Sequence, residues 1–149
     1  MFQSAFGNKT GLYNIPEKNI LLSTGPLESK VELLSSARLL SEKGYQLYAT
    51  KGTHQFLKDN EVESIMLYWP GDKEQPNTFD YLKEKKIDLV INIPKNLSKN
   101  ELDNDYVIRR SAVDYNIPLL TNARLAKAFI TSFCKMSITD ISIKSLEEY

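Results

Sequence analysis

The sequence predicts an α/β fold, a three-layer α/β/α sandwich around a five-stranded, mostly parallel sheet. Three observations carry this. Short apolar runs occur at Ile20–Leu22, Leu47–Ala49, Ile65–Leu67, Leu89–Ile91 and Leu119–Leu120. None alternates apolar with polar residues, as expected of strands covered on both faces. Helix-periodic stretches separate the runs, and 149 residues with 42% hydrophobic content suffice for one domain with a single good core.

Each element has its own signal. Residues 1–17 carry no periodic pattern, and Gly7, Gly11 and Pro16 mark them as a linker or N-terminal extension ahead of a domain at 18–149. After the first strand, Leu33, Ala37 and Leu40 fall at i, i+4 and i+7. Ser29-x-x-Glu32 reads as their capping box and Gly44 as their stop. Gln46–Ala49 is the second strand, followed by a helix from Thr53 to Asn60. Tyr45 and Tyr48 read as strand packing. The third strand runs into Trp69-Pro70-Gly71. Thr78 starts a helix carrying Phe79 and Leu82, and Lys83-Glu84-Lys85-Lys86 is its solvated end. The fourth strand leads to a helix bearing Ile108, Ala112 and Tyr115. After the fifth strand, Asn122 starts a helix bearing Leu125, Phe129 and Phe133, and a short helix from Ser145 closes the chain. Cys134, the single cysteine, reads as an apolar filler of that last long helix, not a nucleophile.

Composition narrows the function. Lys plus Arg and Asp plus Glu both number 19, so no basic excess draws the chain to nucleic acid or an anionic membrane. No apolar run reaches membrane-span length, and no signal-peptide pattern opens the chain. One cysteine forms no internal disulfide, which fits a reducing, cytoplasmic setting.

The most informative residues are Ala49-Thr50-Lys51-Gly52-Thr53. A strand that ends in a Gly-centred turn and opens a helix makes an anion site, because the helix N-terminus leaves backbone N–H groups free and carries positive partial charge. Thr50 and Thr53 add hydroxyls, and Gly52 lets a ligand approach the backbone closely. In open α/β sheets ligands bind beyond the carboxyl ends of strands, where strand order reverses. The segments there are Ser23-Thr24-Gly25, Thr50–Thr53, Trp69-Pro70-Gly71, Asn92-Ile93-Pro94-Lys95 and Thr121-Asn122. Lys30 opens the first helix, where a cation opposes the helix dipole unless an anion is bound. From position alone Lys30 also reads as a solvated lysine, Thr53 as an N-cap and Trp69 as a plug at the core edge. Of Arg109 and Arg110, one is expected to pair with Asp105 or Asp114 and the other to face solvent.

Four blocks carry a resemblance: Gly44-Tyr45-x-Leu47-x-Ala49-Thr50-x-Gly52-Thr53, Ile87–Asn92, Tyr106-Val107-Ile108-Arg109-Arg110-x-Ala112 and Ile117-Pro118-x-x-Thr121. From about Ile15 onward the chain resembles the methylglyoxal-synthase-like fold (flavodoxin- or Rossmann-like), and more narrowly the C-terminal regulatory domain of the carbamoyl-phosphate synthase large subunit. The resemblance implies an allosteric domain of an ATP-dependent ligase serving pyrimidine and arginine biosynthesis, itself without catalytic residues, cofactor or metal. Its implied partners are a small anionic effector, the rest of the large subunit and the glutaminase small subunit; self-association stays open. On this view the chain is the tail of a much larger synthase, or was cut from one, and Met1 is a supplied start. The family effector is a nucleotide such as UMP or IMP, or N-acetylglutamate. Lys30 aligns with the family's phosphate-binding lysine, Thr50 and Thr53 with its ligand threonines, Gly52 with the turn between them, and Asn92 with its ligand asparagine. Trp69 resembles the acetylglutamate type. Lys95 and Asp105 stand where that type has asparagines, and Pro94 where the nucleotide type has a threonine. Lys95 adds positive charge that favours a phosphorylated nucleotide, whose base could stack on Trp69.

Two enzyme readings stand as alternatives, a methylglyoxal-synthase-type phosphate-eliminating lyase and an inosine-monophosphate cyclohydrolase. The first needs a carboxylate with an electrophile to polarise the carbonyl. Asp72 is the candidate carboxylate, but His54, the single histidine, matches no synthase histidine and is expected on a solvated helix face. The second has a Ser-Asp-Lys-Thr-Gly type first loop, from which Thr24-Gly25-Pro26-Leu27-Glu28-Ser29-Lys30 departs.

Overall fold

A computed structural model describes residues 19–94 and 99–135. The expected linker, Lys95 and the helix from Ser145 lie outside the described residues. Among the described residues five strands, β1 (Asn19–Thr24), β2 (Gln46–Ala49), β3 (Ile65–Met66), β4 (Leu89–Ile93) and β5 (Leu119–Leu120), alternate with five helices. These are α1 (Leu27–Glu42), α2 (Lys51–Asp59), α3 (Thr78–Lys83), α4 (Lys99–Asp114) and α5 (Ala123–Lys135). The sheet is parallel throughout, in the order β3-β2-β1-β4-β5.

The sheet is covered on both faces, which explains the unalternating apolar runs. On β1, Ile20 and Leu22 point to one face and Leu21 to the other. Ile20 and Leu22 join Leu33, Ala37 and Leu40 of α1, Leu57 of α2, and Ala126, Ile130 and Phe133 of α5. Leu21 joins Leu67, Leu82 of α3, Val90, and Ile108 and Ala112 of α4. Tyr48 lies on this second side with its ring 5.4 Å from that of Tyr81. Tyr45 falls just outside β2 and packs on Phe133 at 5.7 Å. Burial pushes its hydroxyl from the ordinary 10.0 up to about 12. Burial also pushes the Cys134 thiol up, in keeping with an apolar filler.

Local signals held unevenly. Gly44 ends α1 with φ +90°, in the left-handed region glycine enters at little cost. Asn122 Oδ1 accepts from Leu125 N at 2.9 Å, capping α5 as expected. The Ser29–Glu32 capping box is not formed: α1 starts two residues earlier, at Leu27, behind Pro26, so Ser29 is already helical. Lys30 therefore sits one turn into α1, its N–H bonded to Pro26 O at 3.0 Å. Thr78 is the first residue of α3, but it does not cap the helix. Asn77 caps it, accepting from Phe79 N at 2.8 Å, while the Thr78 hydroxyl donates to Tyr68 O.

Candidate functional site

Strand order reverses between β1 and β4, and the carboxyl ends of these strands and their neighbours surround a cavity of about 380 Å³. That size suits a small molecule. The loop after β1 contributes Thr24 and Gly25, and the start of α2 contributes Thr50, Lys51, Gly52, Thr53 and Gln55. Lys30, Trp69 and Asp105 of α4 complete the wall.

The α2 wall is set by the chain entering a helix at Thr50, which has extended backbone (φ −72°, ψ 166°) and whose carbonyl accepts the first helical bond from His54 N at 2.8 Å. Without a side-chain cap, the first-turn N–H groups have no intrahelical acceptor. Both threonine hydroxyls hold this turn against β1. Thr53 Oγ1 accepts from Thr24 N at 2.9 Å and donates to Thr24 O at 3.1 Å. Thr50 Oγ1 donates to Ser23 Oγ at 3.0 Å. Thr53 is thus the third residue of the helix and not its N-cap. A Cβ on Gly52 would come within 3.5 Å of Lys30 Nζ, so the ammonium lies over the glycine turn.

The β4–α4 wall is charged. Asn92, next to last in β4 and fully buried, is the register partner of Ser23. Its Nδ2 donates to Asp105 Oδ1 at 3.0 Å, and its Oδ1 accepts from Arg109 Nη1 at 3.0 Å. Lys30, Thr50, Gly52, Thr53 and Trp69 therefore line the cavity, whereas Asn92 lies behind Asp105. Arg110 pairs with Asp114 at 3.2 Å as expected, but Arg109 turns inward to Asn92. The spacing held that signal: Asp105, Arg109 and Ala112 recur at i, i+4 and i+7, and Ala112 is core.

Trp69 does both things that its position allows: it lines the cavity and packs on the α3–α4 side of the core. Its loop is a tight turn, with Asp72 N bonded to Trp69 O at 2.9 Å, and is tied to α4 by Gly71 N donating to Asn104 Oδ1 at 2.9 Å. Asp72 is exposed and accepts from Trp69 N at 3.2 Å; the carboxylate that lines the cavity is Asp105. His54 is not on a solvated face. It is half-buried, its Nδ1 2.7 Å from Ser64 Oγ, and it borders a different surface hollow. Among the described residues no group of three or more His, Cys, Asp or Glu is placed to hold a metal ion, and no helix is long and apolar enough to cross a membrane.

Comparison with known proteins agrees on family and fold. A family model described as MGS-like domain matches residues 32–121. Multifunctional protein pyr-3 of Neurospora crassa is 36% identical over 131 residues, which is 83% of this chain and 7% of that protein. Human mitochondrial carbamoyl-phosphate synthase (ammonia) is 38% identical over 142 residues, 92% of this chain and 9% of that protein. The chain thus spans less than a tenth of these curated relatives. The crystal structure of methylglyoxal synthase from Elizabethkingia anophelis NUHP1 superposes with a TM-score of 0.55 at 18% identity, covering 78% of this chain and 80% of that one.

Proposed function

This chain belongs to the MGS-like domain family, and on that premise we propose that it is the effector-binding, allosteric domain of a carbamoyl-phosphate synthase. In this reading the cavity takes a small anion, a nucleotide phosphate or N-acetylglutamate. Lys30, the Thr50–Thr53 turn and Trp69 hold it, and Lys95, outside the described residues, is a further effector-binding residue of this reading. The partners are the rest of the synthase large chain and its glutaminase subunit, in a cytoplasmic enzyme of pyrimidine or arginine synthesis. The relatives support the setting, since carbamoyl-phosphate synthase is named among them. One observation carries the binding role: the Lys30 ammonium and the uncapped N-terminus of α2 face the same cavity. A cation and a helix N-terminus directed at one space favour an anion there.

Calorimetric titration of the 149-residue chain with inorganic phosphate, uridine 5′-monophosphate and N-acetylglutamate tests this. At least one should bind, and Lys30→Ala should weaken it about tenfold or more, the worth of one charge-assisted contact. No heat from any of the three, or affinities indifferent to Lys30→Ala, would defeat the reading.

A second reading, a phosphate-eliminating lyase, is favoured by one observation: a nearly buried carboxylate, Asp105, in the same cavity. The histidine that could polarise a carbonyl is bonded to Ser64 beside another hollow. Turnover of dihydroxyacetone phosphate that vanished in Asp105→Asn would establish the lyase; no such turnover is expected.

A further inference from the structure

Helix α2 takes part in two hollows. Its first residues line the cavity, whereas His54 and Lys58, one turn apart, line a second hollow of about 620 Å³. The polar groups around that hollow are Gln46 of β2 and Glu61, Glu63 and Ser64 of the α2–β3 connection; β3 adds only Ile65. His54 belongs to the first turn of α2. Its backbone N–H donates to Thr50 O at 2.8 Å, immediately after the Thr50–Thr53 turn. Its ring Nδ1 is 2.7 Å from Ser64 Oγ. A serine hydroxyl both donates and accepts, so this bond persists whether the ring is neutral or charged. Protonation there changes the charge and keeps the geometry. An imidazole ordinarily changes charge between pH 5 and 8, an interval in which carboxylic acids and lysine-type amines ordinarily do not.

We propose that His54 links anion binding to protons: with its ring protonated, the N-terminus of α2 holds an anion more tightly. The inference rests on the anion-site reading above. The added cation lies one to two helical turns, about 5–10 Å, from an anion at the start of α2, and at that range in a partly solvated site a unit charge changes affinity several-fold. The sign follows from the helix. A positive charge in the first turn opposes the helix dipole when no anion is bound, and that repulsion is relieved once an anion arrives. Proton and anion therefore favour each other, by the same factor in both directions. Lys58, Glu61 and Glu63 stand beside the ring in both of its forms, so they set the background field and not the change on protonation.

Calorimetry on the 149-residue chain with sulfate, a dianion at about pH 5.5 and about pH 8 alike, tests it. The unaltered chain should bind sulfate about threefold or more tightly at the lower pH, and His54→Gln should hold the two affinities within about 1.5-fold. His54→Lys, charged at both pH values, should bind sulfate more tightly than the unaltered chain at the higher pH. Ser64→Ala removes the anchor of the ring and not its charge, so the pH dependence should survive there. A dependence absent from the unaltered chain, or surviving in His54→Gln, overturns the proposal. So does its loss in Ser64→Ala, which leaves His54 a purely structural part, and so does failure of sulfate to bind at either pH. If the variants fail to fold, the unaltered chain decides alone. With one histidine in the chain, the imidazole proton resonance reports that ring only, and sulfate should move the midpoint of its pH titration upward. An unmoved midpoint overturns the proposal. Inorganic phosphate with Lys30→Ala separates the failures. Lys30-dependent phosphate binding without proton linkage removes only the role of His54. Phosphate binding that is absent or indifferent to Lys30→Ala removes the anion site and this inference together.

Discussion

The two flanks of the cavity are held by different chemistry. On the β1–β2 flank, hydroxyls do the holding: Thr53 bonds both backbone groups of Thr24, and Thr50 bonds Ser23. On the β4–α4 flank the series runs from guanidinium to amide to carboxylate, Arg109 to Asn92 to Asp105. The flanks meet in the sheet at the register pair Ser23 and Asn92. Neutral hydroxyl bonds contribute modestly each and leave the electrostatics of the α2 N-terminus to backbone and Lys30. The charged series places ionic side chains in a nearly dry wall, where losing one partner is far more costly. One flank shapes the cavity and the other gives it polarity.

Substitutions should expose that contrast. The largest effect is expected from Asn92→Leu, which removes the amide joining Arg109 to Asp105 and leaves a buried carboxylate without that donor. It should cost about 3 kcal/mol of stability, because an unmet buried charged group costs more than a neutral one. Urea unfolding measures it. A cost under about 1 kcal/mol would mean that solvent reaches Asp105 and that the charged flank is no drier than the other.

Thr53→Val keeps the shape and deletes both bonds to Thr24. The Thr24 N–H, in a residue 3% exposed, then lacks its acceptor, for a loss of about 1–3 kcal/mol. The same urea experiment applies, and a loss exceeding that of Asn92→Leu would reverse the assigned ranking of the flanks. Because the turn is then less firmly held to β1, anion affinity should fall as well.

The smallest effect serves as a control away from both flanks. Tyr45 has a folded-state pKa raised by burial to about 12, above its ordinary 10.0. For a group raised on folding, the stabilising contribution is intact below the unfolded value and disappears as pH climbs through the folded one. Stability of the unaltered chain should therefore decline between about pH 10 and pH 12, and Tyr45→Phe should shallow that decline while leaving neutral-pH anion binding alone. An unchanged alkaline profile would assign the decline to other groups.

The hydroxyl flank was readable in the sequence and the charged flank only in part. Ala49-Thr50-Lys51-Gly52-Thr53 is contiguous, so one strand–turn–helix junction presents the whole group, and its chemistry follows from local geometry. What the local pattern hides is where the hydroxyls go: Thr53 is engaged with Thr24, a partner 29 residues away that only the β1–β2 pairing brings close. The charged flank joins residues of β4 and α4, so it depends on helix phase and sheet register together. Consecutive arginines conceal which of them faces inward until Ala112 fixes the phase. Asn92 was found as a strand-end residue, but its depth came from β4 pairing on both edges with β1 and β5. The start of α1 at Leu27 and the Asn77 cap of α3 were missed for a simpler reason. Several capping-type residues stood close together, and the entry angle of the chain chose among them.

Trp69 is the single tryptophan in the chain, and it touches both the cavity and the α3–α4 side of the core. The molecule therefore carries its own optical reporter at the place of interest. Excited to the red of the eight tyrosines, indole emission comes from one position only. A ligand that enters the cavity without loosening the core changes the accessibility of that fluorophore to a soluble quencher. Loss of packing beneath it shifts the emission maximum instead. Occupancy and local melting can thus be followed as separate signals, with no dye attached and no residue altered.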